Sequence, residues 1–134
     1  MLARRAYMSR SRLVERPREE GSRKWLIAEL DKYTSIIVRQ RDKRCVTCGS
    51  VQSLQCSHFY SRRYLPTRFD LRNCNAMCSA CNRRHNRDRR PYERYMRKRY
   101  GLAVIAELDG LRMGLGKVTD RELEEMLSRY KAMA

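Results

Sequence analysis

Two C-x-x-C pairs, Cys45-Val-Thr-Cys48 and Cys78-Ser-Ala-Cys81, constrain this chain more than any helical or strand periodicity does. Two residues between thiolates let a tight knuckle aim both sulfurs at one point, and two such pairs supply the four ligands of a tetrahedral, structural Zn²⁺ site. Gly49, directly after the first pair, permits the turn this requires. The second pair suits the opening of a helix, whose free N–H groups stabilise thiolates. A small core also benefits from a staple, because zinc binding contributes folding energy directly. Four unlinked buried thiols are the plain alternative. A thioredoxin-like redox pair is disfavoured because no βαβ pattern surrounds either pair. Cys56 and Cys74 are left over, as small buried hydrophobes or as substitutes for one of the four ligands.

Charge narrows the class of partner. The 134 residues carry 31 Lys and Arg against 15 Asp and Glu, a formal net charge of +16. A surplus of this size on a single-domain body points to nucleic acid first and an anionic membrane surface second. Hydrophobic residues make up 42%, too many for a disordered basic tail. No stretch approaches the roughly 18–20 apolar residues of a bilayer span. The opening MLARRAYMSRSRLVERPREE has no apolar core of a secretory signal. The expectation is a cytoplasmic protein without membrane association, in which cysteines serve as ligands rather than disulfides.

Four zones follow one another. Residues 1–22 read as a basic arm, mobile or weakly helical, broken by Pro17 and Gly21. Residues 23–44 read as a helix leading into the core: Ser22 is a plausible N-cap, Trp25, Leu26, Leu30, Tyr33 and Ile37 recur at helical spacing, and Arg39, Arg41, Lys43 and Arg44 complement the dipole at its end. Residues 45–90 hold all six cysteines, a short strand-like L-Q-C-S-H-F-Y and a helix starting near Ser79. Residues 91–134 read as C-terminal helices packing on that core. One follows Pro91 and stops at Gly101, a second runs over Leu102–Leu111, and Thr119 caps a last amphipathic helix with Leu123, Met126, Leu127 and Tyr130 on one face.

The chain has two histidines, His58 and His85, both within or just beside the cysteine-bracketed segment. A lone histidine is ordinarily a satisfied structural residue. Here a helix opened by the second cysteine pair would carry Asn82 and His85 (i, i+3) on one face beside the zinc, with Asn86 close by. A hairpin carrying His58 against that face would gather a general base and metal ligands around one divalent cation.

The order C-V-T-C-G, S-H-F, R-F-D-L-R-N, C-S-A-C-N, followed by P-Y-E-R-Y and R-Y-G, resembles the zinc-bearing HNH (ββα-metal) endonucleases. It is more closely similar to the NinG (Rap) recombination nucleases of lambda-like phages, over roughly residues 36–108. The C-N after the second pair is also similar to the endonuclease VII class of junction resolvases. The resemblance implies an α+β fold: a small treble-clef or ββα-metal core with a Cys₄ zinc site, flanked by helices. It also implies roles. His58 activates water, Asn73 orients that histidine through a hydrogen bond, and Asn82 helps bind the catalytic metal. His85 either ligates metal or contacts the scissile phosphate. One departure stands out: many HNH enzymes have a metal-binding aspartate just before the first histidine, and here that position is Ser57. Asp70 and Asp88 are candidate replacements, although Asp70 can instead brace a turn and Asp88 can pair with neighbouring arginines.

The chemistry so implied is phosphodiester hydrolysis, with neutral His58 taking a proton from water and Mg²⁺ or Mn²⁺ relieving charge on the phosphorane and leaving oxygen. Asn82, His85 and phosphate oxygens would hold that cation. Arg62, Arg63, Arg68, Arg83, Arg84, Arg87, Arg89 and Arg90 would grip DNA phosphates, and Tyr60 or Tyr64 could stack on an unpaired base. No base-reading module is visible, so structure-selective binding is expected. The family likeness suggests branched recombination intermediates, and two cuts at a junction would suit a homodimer. The competing readings are a non-catalytic zinc-binding nucleic-acid module and a recombination accessory whose last helix, 119–133, docks another protein.

Overall fold

The computed structural model describes residues 18–114 and 116–134. The expectation for the basic arm therefore falls largely outside the described residues. The elements run α1 (Arg23–Asp42), β1 (Leu54–His58), α2 (Leu65–Arg68), β2 (Cys74–Cys78), α3 (Ser79–His85), α4 (Arg90–Arg99), α5 (Leu102–Arg112) and α6 (Asp120–Met133). The fold is α+β: helices around one two-stranded antiparallel sheet, with His58 opposite Cys74 and Leu54 opposite Cys78.

Local chemistry sets the helix ends. Ser22 Oγ accepts from Trp25 N (3.2 Å) to open α1, and Thr119 Oγ1 accepts from Glu122 N (3.2 Å) to open α6. Gly101, at φ 85°, separates α4 from α5 in a backbone conformation that an L side chain rarely adopts. Pro66 sits in the first turn of α2, a short helix that periodicity alone does not reveal.

Three apolar clusters hold the described residues together, the smallest of them Val38, Cys74 and Ala76 between α1 and β2. Leu26, Leu30 and Ile37 of α1 meet Leu123, Leu127 and Tyr130 of α6, with Phe69 between them. The apolar face of α6, the helix that the recombination-accessory reading would use to dock another protein, packs against α1. The second cluster joins Phe59, Met77, Tyr92, Met96 and Leu108 to Cys45 and Cys78. It packs α4 and α5 against the sheet and the cysteine knuckle.

The end of α1 does more than complement a dipole. Arg41 turns inward, donating to Leu71 O (2.7 Å) and Cys74 O (2.8 Å), while Asp42 Oδ2 accepts from Ala76 N (2.8 Å). Val46 N donates to Ala76 O (2.9 Å). Together these cover the outer edge of β2, whose five residues are all buried, and leave no strand template open on that side.

Candidate functional site

Cys45 and Cys48 lie on turns after α1, Cys78 ends β2 and caps α3, and Cys81 lies in the first turn of α3. Gly49 takes φ 80° and donates to Cys45 O (2.9 Å), closing the knuckle as its position suggests. The four Sγ atoms lie within 4.8 Å of one another, and Cys48 Sγ is 3.7 Å from Cys78 Sγ. A tetrahedron of Zn–S bonds of about 2.3 Å has edges of roughly 3.8 Å, so this donor set fits a zinc ion with little adjustment. Four sulfurs leave no open position, which makes such a centre structural. Burial opposes ionisation of Cys45, but the Thr47 hydroxyl and nearby backbone N–H groups outweigh it and bring the thiol down to about 6. For Cys81, Thr47 lowers the pKa, while burial and the three crowded thiols prevail and push it up to about 12. Together the cysteines can hold a metal such as zinc.

Beside this knuckle lies a cavity of ≈ 470 Å³ lined by His58, Ser61, Arg62, Asn82, His85, Asn86 and Arg89, among others. His58 comes from the end of β1, and the other imidazole and two amides from α3 and the residue after it. Strand alternation puts Gln55, Ser57 and Phe59 toward α3 and α4, whereas Cys56 and His58 face α1. Asn82 Nδ2 accordingly donates to Gln55 Oε1 (2.9 Å), and among the described residues its own Oδ1 has no hydrogen-bond partner. The histidine and Asn82 therefore line one cavity from different sides of β1.

His58 Nε2 donates to the backbone carbonyl of Arg68 (2.9 Å). A carbonyl can only accept, so in the neutral ring Nδ1 carries the lone pair. Burial is the largest influence on this ring and lowers its pKa, against opposing pulls from the Arg68 carbonyl and from Asp31 on α1. The neutral form that a general base requires is favoured.

The hydrogen bond expected from Asn73 to the His58 ring is not formed. Fully buried Asn73 instead accepts from Tyr60 N (2.8 Å) and donates to Tyr60 O and Thr67 O (both 3.1 Å). Its side chain is spent on the loop between the strands, and the Arg68 carbonyl holds the histidine. Buried His85 donates from Nε2 to Phe59 O (3.3 Å), and its Nδ1 has no partner. Asn82 Oδ1 and His85 Nδ1 are thus two polar atoms without a hydrogen-bond partner among the described residues.

Neither candidate carboxylate reaches the cavity. Asp70 braces the turn into β2, accepting from Arg72 N (3.0 Å) and from its guanidinium (2.9 Å). Asp88 pairs with Arg90 (2.9 Å), which together with Arg84 holds its carboxyl down at about 2. Asp31 and Thr34 of α1, by contrast, approach His58, lining with it and Cys56 a neighbouring cavity of ≈ 280 Å³. Sequence reasoning missed both. The available signal was polar Thr34 interrupting the apolar stripe of Leu26, Leu30 and Ile37.

The eight arginines divide. Arg62, Arg63, Arg83 and Arg87 are exposed and, among the described residues, join no ion pair; Arg84 touches Asp88 only at 3.9 Å. Arg89 lies over the Phe59 ring (5.0 Å from its centroid) and donates to Phe59 O (3.2 Å). Arg68 does not project to solvent as expected: Asp31 holds it in a bidentate pair of 2.9 and 2.6 Å. Among the described residues, no helix is long and apolar enough to cross a membrane.

Comparison with known proteins places these features in a family. The model of the bacteriophage lambda NinG protein matches residues 3–134. Protein ninG of Salmonella phage P22 is 28% identical over 92 residues, covering 65% of this chain and 45% of that protein. The same protein of Escherichia phage 933W is 27% identical over 92 residues (65% and 46%), and that of Escherichia phage lambda 26% over 92 residues (65% and 45%). The match thus spans just under half the length of these relatives. No solved structure matches. With its family model aligned across almost its whole length, the chain belongs to the bacteriophage lambda NinG protein family.

Proposed function

We propose that the chain is a metal-dependent DNA endonuclease of the HNH type, with a treble-clef core stapled by zinc at Cys45, Cys48, Cys78 and Cys81. The observation that carries this reading is the cavity shared by His58, Asn82 and His85 beside the cysteine knuckle, rimmed by Arg62 and Arg89. Neutral His58 would take the proton of the attacking water through its free nitrogen, with the Arg68 carbonyl fixing the ring. Asn82 and His85 would hold Mg²⁺ or Mn²⁺, which when bound supplies charge relief to the phosphate. Exposed Arg62, Arg63, Arg83 and Arg87 would hold the flanking backbone, with Arg84, Arg89 and Arg90 at the margin. Branched or single-strand-containing recombination intermediates are the substrate class we infer, met in the cytoplasm of the bacterial host. Paired cuts would come from a homodimer.

One observation favours a second reading, a non-catalytic zinc-bearing nucleic-acid module: among the described residues no Asp or Glu lines the cavity, and Ser57 stands where a metal-binding aspartate is usual. Incubation of branched and linear DNA with Mn²⁺ or Mg²⁺ separates the two. Cutting by the wild type, lost by about a hundredfold or more in His58→Ala, supports the enzyme, since a general base contributes at least that factor. Binding without cutting under every metal supports the module. Equal cutting by both proteins removes His58 from the mechanism.

A further inference from the structure

The two cysteines outside the zinc knuckle do not lie apart. Cys56 and His58 are two positions apart on the same face of β1, and Cys74 is paired with His58 across the ladder. Their ligand atoms, two Sγ and one imidazole nitrogen, all lie within 4.8 Å of one another. We propose that Cys56, His58 and Cys74 form a second metal site, a Cys₂His set for a thiophilic divalent ion such as Zn²⁺, and that its occupation silences His58.

Four features argue for the site. Three protein ligands of this softness are a zinc donor set, and three rather than four leave an exchangeable position. His58 Nε2 and Cys74 Sγ both donate to one carbonyl oxygen, that of Arg68 (2.9 and 3.2 Å), which holds the imidazole and the thiol side by side. Thr34, 1% exposed, lines the adjoining cavity with Cys56 and His58, and its hydroxyl has no partner. That hydroxyl can serve a water or anion in the fourth position. Charge completes the case: two thiolates and a divalent cation sum to zero, so the ion enters the covered face of the sheet without leaving a bare charge there.

The balance is simple. Two S–H bonds break, two metal–sulfur bonds form, and two protons pass to solvent; neutral His58 contributes a lone pair and loses none. Whichever ring nitrogen takes the ion, the other carries the proton. No lone pair remains to accept a proton from water. This silencing rests on the reading of His58 as the base, whereas the binding itself does not.

The test uses the full chain titrated with Zn²⁺, read by native mass spectrometry and metal analysis. The wild type should take one equivalent that resists competition and then a second, weaker one. Cys56→Ser and His58→Asn should each take the first alone; half-buried Cys56 is chosen over fully buried Cys74 so that the variant folds. A wild type that stops at one equivalent, or variants that still take two, overturn the site. On branched DNA with Mn²⁺, the ratio of cutting rates without and with added Zn²⁺ should be large for the wild type and near one for Cys56→Ser. Two bound equivalents with an unchanged wild-type rate would overturn the silencing. Two equivalents in a protein that cuts under no condition would uphold the site while removing the nuclease reading.

Discussion

Arg68 holds His58 through its backbone and Asp31 through its side chain, so the carboxylate on α1 is linked to the imidazole on β1 by the last residue of α2. The guanidinium–carboxylate pair is bidentate and only partly exposed, at 20% for Arg68 and 29% for Asp31. Asp31→Asn keeps the shape and removes the charge. After allowance for solvent screening it should cost about 1–2 kcal/mol, read as a lowered Tm, because the better pairs exceed the usual surface value without being buried. A Tm equal to wild type would mean that the pair does not hold the loop.

The same pairing sorts the arginines by what they can do to DNA. Each free cation that neutralises a phosphate adds about 0.9 to the slope of log affinity against log salt. Arg83→Ala and Arg87→Ala should each flatten that slope by about this amount. Arg68→Ala and Arg90→Ala should change it less, since Asp31 and Asp88 already occupy those guanidinium groups. A filter-binding or anisotropy series across salt concentrations reads the difference directly.

How far the sequence discloses the molecule depends on whether a feature is local. The caps at Ser22 and Thr119, the stop at Gly101 and the turn at Gly49 are set by neighbouring residues, and all four can be read from sequence. The convergence of Cys45, Cys48, Cys78 and Cys81 is long-range, yet spacing and chemistry specify it because four thiolates have few other common uses. The pairing of Arg68 with Asp31 has no such signature. It depends on α1 crossing the sheet, and an arginine in so basic a chain reads as solvent-facing. The partner of Asn73 is hidden for a related reason: the family resemblance points its side chain at His58, but three backbone groups of Tyr60 and Thr67 claim it first.

Those three partners yield a prediction of their own. Asn73→Ala leaves Tyr60 N, Tyr60 O and Thr67 O without their bonds, the last of them fully buried and the two of Tyr60 half-buried. At about 1 kcal/mol or more for each abandoned group, the loss should reach about 2–4 kcal/mol. Hydrogen exchange at the Tyr60 amide should accelerate more than exchange within α6. Asn73→Asp keeps the acceptor and loses the donors, so the Tyr60 amide should stay better protected than in the alanine variant.

Tyr130 tests the packing of α6 through pH. Its hydroxyl donates to Phe69 O, and burial pushes its pKa up to about 12 from an ordinary value near 10. The neutral phenol is the form the fold accepts. Its stabilisation is therefore complete below pH 10 and is lost as pH rises through about 12. Tyr130→Phe should melt below wild type at pH 8, and the gap should narrow steadily between pH 10 and 12. A constant gap would place the phenol outside the buried hydrogen bond.

The strongest consequence follows from α3. This helix has 7 residues, well below the roughly 12–15 at which isolated helices become even marginal in water. Cys78 caps it and Cys81 lies in its first turn, while Asn82 and His85 project from the next. A zinc ion held by these cysteines and by Cys45 and Cys48 would therefore fix the helix and the cavity wall together. Cys45→Ser should lose one equivalent of zinc and the cooperative melt, and a strong chelator should do the same to the wild type. The damage should begin at α3 and the knuckle, while the α1–α6 pair, held by Leu26, Leu30, Leu123 and Leu127, exchanges its amides last. If the metal-free protein kept protected amides in α3, packing by Tyr92 and Met77 rather than zinc would be what orders the site.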